Sequence, residues 1–219
     1  MFETERLAIA LAINTVLVIS TVIVILRFFR TESGKHTWEQ GASKLKFFTT
    51  QSNIFAAATA LVISVFEVRV LIKALARDSS VAVELPVIPL AIKYVGTAAV
   101  ALTMFTVIFF LGPTQGYIEM FKGKSFFTHL ANPLLAIVSF CFFENVTELS
   151  MLWVIAALIP FAFYGSLYYH KVMNLGPLDG GWEDFYGFNV RDRWKISLAV
   201  ALIGSIIINV ALLILHNGR

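Results

Sequence analysis

The sequence has little charge and almost no cysteine. Asp, Glu, Lys and Arg make up only 14% of its 219 residues, whereas a soluble domain carries about 25%. This scarcity excludes an ordinary water-soluble globule, and a hydrophobic content of 58% excludes a disordered chain. The single cysteine, Cys141, excludes both a disulfide framework within the chain and a thiolate zinc site.

The chain has 17 basic and 14 acidic residues, which gives a net charge of only +3. No cluster of basic residues is separate from the apolar stretches. We therefore expect no nucleic-acid partner. Eleven of the 17 lysines and arginines lie on the side of the connections around 30–46, 112–125 and 171–195, and six lie on the side of the two termini. We name the side of these connections the L side, and the side of both termini the N side. The positive-inside rule predicts a cytoplasmic L side.

Long apolar stretches are what the sequence has in abundance. A helix needs about 20 apolar residues to cross the hydrocarbon core of a bilayer, and six stretches approach that length. We therefore predict one integral membrane domain over residues 1–219, an all-α bundle of six transmembrane helices in the lipid bilayer. The predicted helices cover about 6–29, 47–68, 90–111, 126–143, 151–169 and 196–215.

Polar residues concentrate where the second and fourth stretches begin on the L side. They are Thr49, Gln51, Ser52, Asn53, His129 and Asn132. Polar groups inside a membrane are costly and by default indicate function. Thr49 and His129 each lie about 5 Å below the ends of their helices, given the rise per residue. A hydroxyl and an imidazole at matched depth are what a nucleophile and its general base require.

The neighbouring polar residues suggest supporting roles. Ser52 and Asn53 share a helix face with Thr49, and the amide of Asn53 or Asn132 could donate to an oxyanion. Gln51 and Ser52 are further candidates for substrate or oxyanion contacts. Pro133 cannot bond the carbonyl of His129 and predicts a kink there. In the alternative interpretation, these residues only form hydrogen bonds between helices.

The connection over 174–193 is rich in glycine and aromatic residues. It is a candidate lid or headgroup-binding loop, in which Glu183 or Asp184 could orient a histidine. The alternative is an aromatic belt at the membrane interface.

The segment Lys46-Phe47-Phe48-Thr49, together with His129 followed by Pro133, resembles a known family. This family comprises the androgen-inducible membrane proteins, the androgen-dependent TFPI-regulating proteins and their bacterial relatives. The animal members are multipass threonine hydrolases that cleave fatty acid esters of hydroxy fatty acids. The resemblance implies that Thr49, rather than the adjacent Thr50, is the nucleophile and that His129 is the base. The segment 50–53 is similar to the bacterial branch, which implies a bacterial cell membrane.

These observations together predict an intramembrane lipid-ester hydrolase that acts on a membrane lipid or fatty acid ester without a cofactor or metal. Three alternatives stay open at this stage. The same site could serve an acyltransferase that passes the acyl chain to a lipid or amine. The polar cluster could instead carry a small solute or a proton. A haem held by His129 and His170 is the third.

Overall fold

The computed structural model describes residues 3–30, 35, 37–76 and 84–218, and this part of the chain is all-helical, without a strand. The connection over 77–83 and most of that over 31–36 lie outside the described residues. The main helices in chain order are α1 (Glu3–Phe28), α2 (Trp38–Leu45), α3 (Phe48–Ala76), α4 (Val87–Gln115), α5 (Lys124–Phe143), α6 (Trp153–Ala157), α7 (Ile159–Tyr169) and α8 (Trp194–Asn217). Short helical turns also lie at Tyr117–Met120, Pro177–Asp179 and Val190–Asp192.

Among the described residues, five helices are long and apolar enough to cross a membrane, namely α1, α3, α4, α5 and α8. Each overlaps one of the predicted stretches. The largest difference in their bounds is in α3, which continues past the predicted end at 68 to Ala76. The added turns carry Arg69 and Lys73, whose long side chains can reach water from a helix end.

The predicted helix over 151–169 is broken in two. α6 ends at Ala157, and α7 begins at Ile159 with Pro160 as its second residue. Proline has no backbone N–H, and its ring clashes with the carbonyl one turn earlier, so a continuous helix is disfavoured here. The described structure therefore holds five continuous candidate spans where six were predicted. α7 itself continues into a wide π-helical turn at His170–Leu175.

α4 lies at the centre of the bundle, and 67% of its most apolar stretch is buried. It packs against α3 and α5 and also contacts α6 and α8, while α1 packs against α3 and α5. The apolar core around α4 includes Ile63, Leu90, Tyr94, Phe140 and Leu213.

Two layers of polar residues cross the bundle, separated by an apolar layer. The buried side of α1 shows this order, with Asn14, Leu17 and Thr21 one after another. Leu17 belongs to one packed cluster whose members are Leu17, Ala56, Ala60, Val100 and Ala136. We name this cluster the apolar layer. The L-side polar layer contains Thr21, and the N-side polar layer contains Asn14.

Candidate active site

Asn53 joins the first turns of α3 and α5. Its Nδ2 donates to the carbonyl oxygen of Thr49 at 2.8 Å and to that of Thr128 at 2.9 Å. Because both oxygens accept from one nitrogen, they lie within about 6 Å of each other. The backbone at Thr49 and the backbone next to His129 therefore meet at the same level of the bundle.

Asn132 extends this connection to α1. Its Nδ2 donates to Asn53 Oδ1 and to Thr21 Oγ1, at 3.1 Å each, and its Oδ1 accepts from Ser20 Oγ at 2.6 Å. Both amide hydrogens of Asn53 and both of Asn132 are thus engaged within the protein. The two asparagines hold three helices together, and neither has a free hydrogen for the predicted oxyanion.

His129 has a defined tautomer. Its Nδ1 lies 2.6 Å from the carbonyl oxygen of Met120. A carbonyl oxygen only accepts hydrogen bonds, so Nδ1 carries the hydrogen and Nε2 keeps its lone pair. The imidazole is half-buried in a wide π-helical turn, Phe127–Ala131, that lies just before Pro133. This turn is at the point where the sequence predicts a distortion, because Pro133 cannot bond the carbonyl of His129.

Thr49 is the second residue of α3 and is half-buried. Its hydroxyl and its backbone N–H contact the phenol of Tyr186. The backbone N–H of Phe48 donates to the same phenol oxygen at 3.0 Å. In the described residues, no hydrogen bond joins the Thr49 hydroxyl to His129. The adjacent Thr50 is buried, with only 3% of its surface exposed.

Tyr186 belongs to the aromatic connection over 174–193, which folds onto the start of α3. Its neighbour Phe185 packs edge-on against Phe47, with ring centroids 4.6 Å apart. Burial raises the pKa of the Tyr186 phenol, so the hydroxyl is protonated at neutral pH. Tyr186 is a site residue that the sequence did not single out, and its only signal was its place in the aromatic connection.

Asp184 organises this connection from within. Its Oδ1 accepts from the Tyr168 hydroxyl and from the Phe188 N–H, and its Oδ2 accepts from the Asn189 N–H, at 2.7 Å each. The expectation that Asp184 orients a histidine is therefore wrong, because three local donors occupy the carboxylate. Glu183 is exposed.

Ser52 and Gln51 face a different side of α3 from Asn53. Ser52 Oγ lies 2.9 Å from Thr103 Oγ1, and Gln51 Nε2 donates to the Leu45 carbonyl at 3.0 Å. Both side chains line an open groove of about 260 Å³ between α3, α4 and α7. The residues lining the groove are Phe48, Gln51, Ser52, Phe55, Ala99, Pro160 and Phe163. Its walls are mostly apolar, as an acyl chain would require.

The N-side polar layer contains buried ionisable side chains that the sequence does not show to be close together. Glu67, Lys93 and Glu144 are each at most 1% exposed. His216 is also buried, at 1% exposed, so His129 is not the only histidine inside the bundle. Within the described residues, no group of three or more His, Cys, Asp or Glu side chains could hold a metal ion.

Comparison with known proteins finds no protein-family model, curated protein sequence or solved structure that matches the chain.

Proposed function

We propose that the chain is an intramembrane lipid-ester hydrolase in which Thr49 is the nucleophile and His129 the general base. In this proposal the broken pair α6 and α7 makes a sixth membrane crossing, so that the bundle has six. The substrate is a membrane lipid or fatty acid ester, and no cofactor takes part. The resemblance of the segments around Thr49 and His129 to threonine hydrolases of fatty acid esters supports this choice.

The observation that carries the proposal is the bond from His129 Nδ1 to the Met120 carbonyl. A general base needs one ring nitrogen free to take a proton and the other held by a fixed acceptor. The Met120 carbonyl supplies that acceptor, and Nε2 is left as the basic nitrogen.

The start of α3 supports a role for Thr49. The first N–H groups of a helix have no partner within it, and the helix dipole favours negative charge beside them. The Phe48 N–H donates to the Tyr186 phenol oxygen at 3.0 Å, and the Thr49 N–H lies beside the same oxygen. An ester oxygen that replaced this phenol oxygen would receive the Phe48 N–H and lie beside that of Thr49, which is the arrangement of an oxyanion hole.

The reaction then proceeds in two steps, acylation of Thr49 and hydrolysis of the acyl-threonine. The Thr49 hydroxyl turns from Tyr186 to His129 Nε2 as substrate binds, and Oγ1 attacks the ester carbonyl carbon while Nε2 takes the hydroxyl proton. The tetrahedral intermediate expels the alcohol, which receives that proton. Water next attacks the acyl-threonine with His129 again as the base, and this releases the carboxylic acid and restores Thr49.

The groove beside Ser52 and Gln51 supports an acyl-chain substrate. Phe48, the residue before Thr49, and Phe55 contribute to its walls, and in this proposal the groove is open to the lipid. A fatty chain in this groove would bring its ester to the start of α3. Gln51 and Ser52, which line the groove near its L-side end, are the polar side chains nearest to that ester.

The proposal is tested by covalent labelling of the intact protein in native membranes with a fluorophosphonate, which reacts with activated hydroxyl nucleophiles. We would compare the wild type with Thr49→Ala, Thr50→Ala and His129→Ala. We expect labelling to disappear in Thr49→Ala. In His129→Ala it should fall by about a hundredfold or more, because a positioned base contributes about 10²–10⁴ to such a step.

Thr50→Ala is the matched control, since it removes the same hydroxyl and methyl groups one residue away. It should label like the wild type. Labelling that survives in Thr49→Ala, or that disappears only in Thr50→Ala, would contradict the assignment of the nucleophile. A wild type that is folded and does not label would contradict the hydrolase proposal itself.

A further inference from the structure

The N-side polar layer brings three ionisable side chains together at the bundle centre. Glu67 lies on α3, Lys93 on α4 and Glu144 directly after the end of α5, and all three are almost completely buried, with Glu67 and Glu144 at 0% exposed and Lys93 at 1%. Lys93 Nζ lies 3.7 Å from Glu144 Oε1. Burying ionised groups away from water is costly, and in membrane bundles such residues usually mark ion or proton sites.

One neutral side chain, Asn14, contacts all three. Its Oδ1 accepts from Lys93 Nζ at 2.6 Å. Its Nδ2 lies 2.8 Å from Glu144 Oε1 and 3.2 and 3.3 Å from the two carboxylate oxygens of Glu67. The Asn14 amide therefore points its acceptor at the ammonium and its donors at both carboxylates. This orientation brings the two acids to the same amide group.

The charges in this cluster do not balance. Two carboxylates share a single ammonium, so the cluster has a charge of −1 when all three groups are ionised. Glu144 Oε1 also accepts from Ser139 Oγ at 2.6 Å, but Glu144 Oε2 is buried and has no hydrogen-bond partner. A buried carboxylate without sufficient partners takes up a proton in preference to keeping its charge.

The other described groups around Glu67 and Glu144 do not place a second positive charge against either carboxylate. Ser64 lies beside Glu67 on α3, and Cys141 of α5 lies near Glu144. Arg6 on α1 donates to the Phe142 carbonyl at 2.9 Å. His216 on α8 has its Nδ1 and Nε2 at 2.8 and 2.9 Å from the carbonyl oxygens of Phe140 and Thr147. The imidazole is thus bonded to backbone carbonyls and not to either acid.

We propose that Glu67 and Glu144, bridged by Asn14 and paired with Lys93, form a proton-binding site that holds one exchangeable proton between the two carboxylates. The apolar layer of Leu17, Ala56, Ala60, Val100 and Ala136 separates this site from Thr49 and His129. The site is therefore independent of the proposed hydrolase, and its test needs no enzyme activity.

The test is infrared spectroscopy of the intact protein in lipid vesicles, following the carbonyl stretch of protonated carboxyl groups. At neutral pH we expect the wild type to show the band of one protonated carboxyl per chain, which disappears at alkaline pH. Glu67→Gln and Glu144→Gln should each abolish this band, because the one remaining carboxylate is balanced by Lys93. In Lys93→Gln the band should grow towards two carboxyls.

Glu148→Gln is the control, because it removes an exposed carboxylate a few residues beyond Glu144. It should leave the band unchanged. A wild type without the band at neutral pH would overturn the proposal, and this measurement requires no variant to fold. A band that both Glu67→Gln and Glu144→Gln retain would also overturn it.

Sodium provides the last arm of the test, since a metal cation could also compensate the excess negative charge. We would record the band in choline chloride and in sodium chloride at the same pH and ionic strength. An unchanged band supports the proton site. A band that sodium removes would overturn the proposal in favour of a cation site.

Discussion

Asn132 Nδ2 donates to Asn53 Oδ1 at 3.1 Å, and this bond joins α5 to α3 one turn below the proposed nucleophile and base. Both residues are fully buried. Asn53 in turn holds the carbonyl oxygens of Thr49 and Thr128. The relative position of the two motifs therefore depends on a pair of amides that do no chemistry themselves, and Asn53 and Asn132 are positioning residues.

Replacing Asn132 by leucine should loosen this junction. Asn132→Leu removes the partner of Asn53 Oδ1 and of Thr21 Oγ1 and one of the two partners of Ser20 Oγ. We expect the free energy of unfolding to fall by about 1–2 kcal/mol, measured by thermal unfolding in detergent. Asn174→Leu removes an exposed amide and should change it little. Equal losses in the two variants would contradict the importance of the junction.

The Tyr186 phenol oxygen accepts from the Phe48 N–H, a donor that the proposed reaction needs for its oxyanion. Tyr186→Phe keeps the ring and removes the oxygen that Phe48 N–H donates to. A hydrogen bond of this kind contributes about 0.5–1.5 kcal/mol, so we expect fluorophosphonate labelling to become about two- to tenfold faster. Initial labelling rates at equal protein concentration measure this. Slower labelling would indicate that the phenol assists Thr49 instead of occupying its oxyanion hole.

The control for this variant is Tyr169→Phe, because no hydrogen bond to the Tyr169 hydroxyl is found among the described residues. Its ring packs against Trp194 with centroids 5.1 Å apart. Labelling of Tyr169→Phe should match the wild type. If it too labels faster, the change in Tyr186→Phe would reflect a general loosening of the aromatic connection.

Much of the fold follows from hydropathy, because lipid requires every spanning segment to satisfy its backbone within a helix. This constraint predicts α1, α3, α4, α5 and α8 well. It does not predict the break at Pro160, because a membrane helix can accommodate a proline when neighbouring groups satisfy the freed carbonyl. Whether the helix continues is decided by that tertiary context.

The polar sites were only partly predictable for a similar reason. Asn53, Asn132 and His129 stand out because each is a polar residue inside an apolar stretch. Glu67 and Lys93 lie near the ends of their predicted stretches, where a charge usually reaches the interface. Their burial follows from packing against Asn14, on a helix distant in sequence. The hydropathy pattern within one helix does not predict a contact with another helix.

The Tyr186 phenol, half-buried against the start of α3, also predicts a response to alkaline pH. Burial raises its folded-state pKa above the ordinary value of 10.0. Up to that pH both states keep the proton, and the free energy of unfolding does not depend on this group. Above it, the unfolded phenol ionises while the folded one does not, so stability falls as pH rises.

Tyr186→Phe should therefore lose stability less steeply than the wild type between about pH 10 and 11. The largest difference in slope that one phenol can give is about 1.4 kcal/mol per pH unit. Denaturant unfolding at a series of pH values measures the two slopes. Identical slopes would show that the Tyr186 hydroxyl ionises as readily in the folded protein as in the unfolded one.

A close contact between α3 and α4 gives a last prediction. Gly96 has no Cβ, and a Cβ at this position would overlap the side chain of Thr59. Both residues are in the bundle interior, and Thr59 Oγ1 is fixed by a bond to the Ala56 carbonyl at 3.0 Å. Gly96→Ala should therefore push the two helices apart and lower the free energy of unfolding by about 1–3 kcal/mol.

Gly204→Ala is the matched control, because Gly204 lies in α8 and a Cβ there meets no atom within 4 Å. It should stabilise the protein by about 0.5–1 kcal/mol, since alanine favours a helix over glycine. The double variant Gly96→Ala with Thr59→Ala removes the overlapping hydroxyl and methyl and should recover part of the loss. A loss in the double variant equal to the sum of the single losses would mean that the two residues do not interact. The α3–α4 packing that aligns Ser52 with Thr103 would then depend on other contacts.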